Sequence, residues 1–281
     1  MSGQPSGLAN LARAAAGALP FVTRSGTLPT RTVSVEGLTI DPANVAAYAA
    51  LTRLRFDDTV PLTYPFALTF PSVMSLVSGF DFPFAAMGSV HVENHITQHR
   101  PIAVTDVVDV KVHADNLREH RKGLLVDILT DVSVGNDLVW QQVTTFLHQQ
   151  KTSLSGEPKP EPKKQPKLPP PNAILSVTPG QIRKYASVGG DHNPIHTSPI
   201  GAKLFGFPTV IAHGMFSAAA VLTNIEGQLP DAVKYSVRFG KPLVLPARAG
   251  LYVDRTGSGW ELALRHLSKG YPYLTGTVTA L

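Results

Sequence analysis

Apolar residues gather into two kinds of run along this chain. Val108–Val112, Gly123–Val134 and Leu138–Leu147 are rich in Val, Thr and Leu with turn residues between them, as are Gly250–Val253, Trp260–His266 and Tyr273–Val278. Such runs predict β-strands. Phe66–Gly79 and Gly214–Leu229 are longer and more continuously apolar, and predict one buried helix each. Two shorter helices are announced by their caps. Asp41-Pro42 precedes ANVAAYAAL, and Thr178-Pro179 precedes GQIRKYASV. In both, a short polar side chain stands at the N-cap and a proline at the first helical position.

The pattern therefore repeats: short helix, loop, long apolar helix, then a run of strands. Helices followed by strands argue an α+β fold. Tyr48 in the first copy corresponds to Tyr185 in the second, at an offset of 137. Asn94–Pro101 echoes Tyr235–Pro242 at an offset of 141, both ending in a basic residue and Pro. Two echoing copies in one chain predict a pseudo-dimer in which the two sheets pack together.

Between the copies lies Lys151–Asn172, KTSLSGEPKPEPKKQPKLPPPN, with prolines at 158, 160, 162, 166, 169, 170 and 171. That density forbids a helix or a central strand. At about 3.1 Å per residue, an extended polyproline-like segment could reach roughly 65 Å. We read it as a semi-rigid linker rather than a ligand for an SH3-like module. The expected division is residues 1–150 and 173–281 as domains, with 151–172 joining them. Met1–Pro20 lacks the basic-then-apolar layout of a targeting peptide and is expected to be a short surface helix or arm, so a cytoplasmic protein is expected.

Composition removes several chemistries. The 281 residues include no Cys, which excludes disulfides, thiolate nucleophiles and Cys-based metal sites. No apolar run approaches the ~18 residues of a membrane span. The net charge of +5 invites an anionic partner, but its placement weakens that reading. The linker holds five Lys against two Glu, leaving 20 basic against 18 acidic residues elsewhere. A basic excess concentrated in a linker, away from any nucleic-acid motif, does not point to DNA or RNA.

The candidate chemistry lies in Tyr185–His196, YASVGGDHNPIH, and in Ile211–Met215, IAHGM. Asp191 and His196 flank a segment broken by Pro194, and so sit on a structured loop. There a carboxylate can orient a water molecule while the imidazole accepts or returns its proton. Asn193, between them, can hold the loop by side-chain bonds to backbone. The same residues also suit a capped turn carrying a surface His. His192 and His196 have the i, i+4 spacing of a zinc pair, but Pro194 disfavours a helix there and no Glu follows the first His. Gly214-Met-Phe-Ser217 has the wrong spacing for a hydrolase nucleophile elbow. Gly214 opens the predicted helix, where unpaired N–H groups and partial positive charge collect. Its N–H can donate to a carbonyl oxygen on which charge develops, or the glycine can merely permit close packing.

These residues resemble the signature of the MaoC-like, (R)-specific enoyl-thioester hydratases, also called type 2 enoyl-CoA hydratases. The signature is a tyrosine, then Gly-Asp-x-Asn-Pro-x-His, then His-Gly-Met at a helix start. The one departure is Gly189, where the family often has Ser or Thr. At full length, linker included, the chain resembles the two-hot-dog (3R)-hydroxyacyl-thioester dehydratases of mycobacterial-type lipid metabolism. The resemblance implies a double hot-dog fold, two antiparallel sheets each wrapping a long helix. It implies Asp191 and His196 as the catalytic pair, Asn193 and Tyr185 as supporting residues, and the Gly214 N–H as oxyanion donor. It also implies reversible syn hydration of trans-2-enoyl thioesters without metal or redox cofactor, the substrate being carried by CoA or acyl carrier protein.

Counting from Tyr48 as from Tyr185 reaches Leu54 and Thr59, neither of which can serve, and Asp57 and Asp58 lack an accompanying His. One active site per chain is therefore expected, in the C-terminal half. The N-terminal half is expected to supply an acyl-binding wall, with room for a long tail if Phe66–Gly79 breaks at Pro71. Arg238 and Lys241 are expected to meet CoA phosphates or an acidic carrier. A hot-dog thioesterase and a non-catalytic acyl-thioester-binding module are the rival functions; monomer and homodimer both remain open.

Overall fold

A computed structural model describes Asn10, Arg13, Ala14, Arg24 and residues 26–158 and 168–281. The first half runs β1 (Val33–Thr39), α1 (Pro42–Thr52), α2 (Tyr64–Val77), β2 (Ser89–Gln98), β3 (Val107–His120), β4 (Gly123–Val134) and β5 (Asp137–Gln149). The second runs β6 (Ala173–Val177), α3 (Pro179–Gly189), α4 (Pro194–Thr197), α5 (Pro199–Leu204), α6 (Gly214–Ala220), β7 (Val233–Phe239), β8 (Ala247–Thr256), β9 (Gly259–His266) and β10 (Pro272–Ala280). All strand pairs are antiparallel, in the order β1-β3-β4-β5-β2-β7-β10-β9-β8-β6. Each half is thus the same five-stranded arrangement, and the α+β double hot-dog expectation holds. The two sheets do not stay separate. β2 pairs with β7 and makes one continuous ten-stranded sheet.

The echo at an offset of 141 locates the symmetry. Asn94 pairs with Val237, His95 with Ser236 and Ile96 with Tyr235. His95 thus faces its own counterpart, and His95 Nδ1 lies 2.9 Å from Ser236 Oγ. The pseudo-two-fold axis passes through that pair. Joining β2 to β7 pairs an edge of each sheet that would otherwise be open.

The short helices form as their caps predict. Asp41 accepts a bond from the Ala43 N–H at 2.9 Å, and Thr178 forms a reciprocal capping box with Gln181. The echoing tyrosines meet across the axis, with Tyr48 and Tyr185 ring centroids 5.8 Å apart.

Both long helices differ from expectation. The helix expected at Phe66–Gly79 forms as α2, Tyr64–Val77, without a break, although Pro71 lies inside it. Proline removes an N–H donor, but the helix is buried along most of its length, and packing holds it where propensity would not. The Pro71 carbonyl accepts a bond from Asn10 Nδ2 at 2.9 Å. Gly214–Leu229 is α-helical only to Ala220 and continues as 3₁₀ turns at Val221–Asn224 and Glu226–Gln228. The Ala-rich part ends there, and Val221, Thr223, Asn224 and Gly227 are weak helix formers.

The ends of the predicted linker are ordered. Ser153–Gly156 is a 3₁₀ turn, and the Asn172 N–H donates to Leu251 O at 2.9 Å. The centre of the linker, and the predicted N-terminal arm apart from Asn10, Arg13 and Ala14, lie outside the described residues. Among the described residues, no helix is long and apolar enough to cross a membrane.

Candidate active site

Helix α3 ends at Gly190, whose φ of 73° lies in the left-handed region that glycine enters without steric cost. The chain turns sharply there and presents Asp191. One oxygen of Asp191 accepts the Asn193 N–H at 3.1 Å, and Asn193 Oδ1 accepts the Ile195 N–H at 3.3 Å. Asn193 thereby caps the single turn of α4, with Pro194 at its first position. This turn carries His196, which is only 8% exposed and so is not the surface His of a plain capped turn.

A second contact fixes the ring. His196 Nδ1 lies 2.9 Å from the Ile211 carbonyl oxygen. A carbonyl only accepts, so Nδ1 carries the proton and Nε2 keeps a free lone pair. Burial holds His196 below the usual imidazole range, despite the opposing pull of Asp191 and the Ile211 carbonyl. It is therefore a neutral base near pH 7. The nearest ligand-type atoms of Asp191, His196 and His213 all lie within 4.8 Å of one another.

That trio does not suit a shared metal ion. The rings of His196 and His213 stack at 3.7 Å with planes 29° apart. Imidazole lone pairs lie in the ring plane, so stacked rings aim them side by side rather than at one point. His213 Nε2 also lies 3.0 Å from the Asp191 carbonyl oxygen, which commits its proton there. His192, the other half of the zinc spacing, is exposed.

The remaining expected residues surround this pair. Gly214 opens α6, and its N–H has no intrahelical acceptor by position. A Cβ on Gly214 would lie 3.0 Å from Phe239 Cε1, so the glycine is also a packing requirement. Tyr185 is buried and does not reach the cavity surface. Its ring packs against those of His213 at 5.1 Å and Phe216 at 5.4 Å. Desolvation raises its hydroxyl well above the usual tyrosine range, so it stays protonated.

Asp191, His196 and Gly214 line a cavity of about 450 Å³. Its other wall belongs to the N-terminal half, with Phe66, Phe70, Met74 and Val77 of α2 and Phe146 of β5. Those four α2 positions share one helix face and cover roughly 16 Å at about 1.5 Å per residue. Pro71 also lines the cavity, facing Gly190 at the start of the Asp191 loop. His91 joins this wall, where burial lowers its pKa to about 3. Its Nε2 lies 3.2 Å from Asn94 Nδ2, which therefore donates to it.

Among the described residues of the first half, the positions that echo Asp191 and His196 carry no such pair. Leu54 is buried, and Thr59 forms a β-bridge with Ala103. The Arg55 N–H donates to both carboxylate oxygens of Glu226, at 3.0 and 2.9 Å. The two basic candidates part company. Lys241 lines the cavity with its ammonium 4.2 Å over the Tyr271 ring. Arg238 lines a different groove, is 74% exposed and pairs with Glu93 at 2.7 Å. Its strand pleat turns it away from the site.

Sequence reasoning overlooked His213. The His-Gly spacing drew attention to the glycine, and only the fold shows the histidine against both Asp191 and His196.

Comparison with known proteins shows the family and the fold. The model of the MaoC like domain matches residues 159–265. The 3-hydroxyacyl-thioester dehydratase X of Mycobacterium tuberculosis is 74% identical over 278 residues, covering 99% of each chain. The crystal structure of HtdX from M. tuberculosis superposes with a TM-score of 0.82 at 73% identity, covering 89% of this chain and 100% of that one. A MaoC-like dehydratase from Phytophthora capsici shares the fold at a TM-score of 0.69 and 20% identity, over 90% of this chain and 96% of that one.

Proposed function

Because this chain belongs to the MaoC-like family of 3-hydroxyacyl-thioester dehydratases, we propose that it interconverts trans-2-enoyl and (3R)-3-hydroxyacyl thioesters with Asp191 and His196 as the catalytic pair. One observation carries the assignment. A carboxylate and an imidazole with a free Nε2 sit side by side on the wall of a mainly apolar cavity.

In the hydration direction, Asp191 and His196 Nε2 hold one water molecule over C3 of the enoyl group. Asp191 orients it, and His196 takes its proton as the oxygen bonds to C3. The C2–C3 π electrons move toward the thioester carbonyl, whose oxygen becomes enolate-like and accepts the Gly214 N–H. The proton held by His196 is then delivered to C2 as the carbonyl re-forms. Dehydration is the reverse. The thioester supplies the electron sink, so this sequence needs no cofactor beyond the carrier, CoA or acyl carrier protein. Asn193 holds the loop, and Tyr185 supports it from beneath. In the cytoplasm, where we place the enzyme, Lys241 at the cavity wall would meet an anionic part of the carrier.

The N-terminal half supplies the acyl wall. The tail is proposed to run along the Phe66–Val77 face of α2 toward Phe82 and Phe84. Loss of enoyl-thioester absorbance across a C4-to-C16 series tests this. kcat/KM is expected to rise from C4 to chains of C8 and longer. Activity confined to C4 would refute the acyl tunnel. Release of free thiol in place of hydration would mark a thioesterase instead.

A further inference from the structure

His213 touches both members of the proposed pair and takes no part in the proposed transfer of water or proton. Its Nε2 lies 3.0 Å from the Asp191 carbonyl oxygen and 3.7 Å from Asp191 Oδ2. Both are acceptors, so Nε2 must carry the proton. Nδ1 is then a bare lone pair, buried and without a hydrogen-bond partner among the described residues. The side chain is 4% exposed. Burial, with repulsion from His196 second, lowers its pKa to about 3, so the ring stays neutral while His196 cycles its proton.

The geometry excludes two simpler roles. His213 is not a second base facing substrate, because its only lone pair is sealed inside the protein. Nor is it mere filler. An apolar ring would fill the same room, whereas the Nε2–H is committed to the backbone of the residue that orients water. Its face meanwhile lies against the face of His196.

We infer that His213 is a positioning residue, whose Nε2–H fixes Asp191 and whose ring sets the plane of His196, so that the two groups address one water molecule. The inference rests on the assignment of Asp191 and His196 as the catalytic pair. Displacement of a reacting group by about 1 Å can cost about 10²-fold in rate without loss of binding.

Two substitutions in the full chain separate the donor from the ring. His213→Phe keeps the stacked ring and loses the N–H. His213→Gln keeps a donor near the Asp191 carbonyl. The Phe variant is expected to lose about 10- to 100-fold in kcat with KM nearly unchanged. The acid limb of its kcat profile should also move, because His196 and Asp191 are no longer held together. The Gln variant, which restores the donor but not the ring, should recover part of that loss. His213→Asn, which places a favoured N-cap residue before α6 but falls short of Asp191, should behave like Phe and serves if the Phe chain does not fold. Wild-type kcat and pH profile in the Phe or Asn variant would overturn the inference. So would a loss shared equally by Gln and matched by a rise in KM and a fall in Tm. Asp191→Asn and His196→Ala are assayed alongside. If those two are active, the catalytic assignment fails; if they are inactive while His213→Phe is normal, only the positioning role fails.

Discussion

Asp191→Asn is expected to lower kcat for hydration of a trans-2-enoyl thioester by about 10²-fold or more, with KM and Tm close to those of the parent. The substitution is nearly isosteric. The Asn193 N–H can still find an oxygen at the position it now contacts at 3.1 Å, so the turn into α4 should survive. What is lost is the negative charge beside the water and beside His196. That charge pulls the His196 pKa upward against burial, and so supports the imidazole in the state where it holds a proton. Without it, the proton-bearing His196 formed during turnover stands uncompensated in a buried site. The loss of conjugated enoyl-thioester absorbance gives kcat, and thermal unfolding checks the fold. A rate equal to that of the parent would remove Asp191 from the mechanism.

His196→Ala is expected to be at least as damaging, by about 10²- to 10⁴-fold, because it removes the imidazole nitrogen proposed to take the proton from water. The parent enzyme provides a second test through pH. Burial places His196 below the ordinary imidazole range, so the neutral, base-competent form persists as pH falls through 6.5. The acid limb of kcat/KM is therefore expected below pH 6.5, where a solvent-exposed histidine would already have titrated. In the Ala variant that limb should disappear along with the rate. An acid limb unchanged in position in His196→Ala would assign it to another group.

Much of this architecture is written locally. The Asp41-Pro42 and Thr178-Pro179 caps mark α1 and α3, and the Val- and Thr-rich runs fall inside β3, β4, β5, β8, β9 and β10. The 141-residue echo marks β2 and β7 and, through the His95–Ser236 pair, the symmetry axis between the halves. Other features depend on neighbours distant in sequence. β1 and β6 are edge strands that keep much of their surface exposed, so apolar composition barely signals them. The fusion of two sheets into one is decided by edge pairing, which no single strand encodes. Pro71 stays inside a helix because tertiary burial outweighs its propensity. At the site, the turn from Gly190 to His196 is legible because its capping bonds are local. The tautomer of His196 is not, since Ile211 O lies 15 residues away. Nor is the contact between His213 and Asp191, 22 residues apart.

The central claim is that one pair of groups, on one wall of the cavity, both delivers the hydroxyl to C3 and returns the proton to C2. Hydration of a trans-2-enoyl thioester in deuterated water records that geometry in the product. The expected product is a (3R)-hydroxyacyl thioester in which deuterium at C2 and hydroxyl at C3 have added to the same face, read from the vicinal coupling of the isolated product. Anti addition, or a (3S) product, would contradict it.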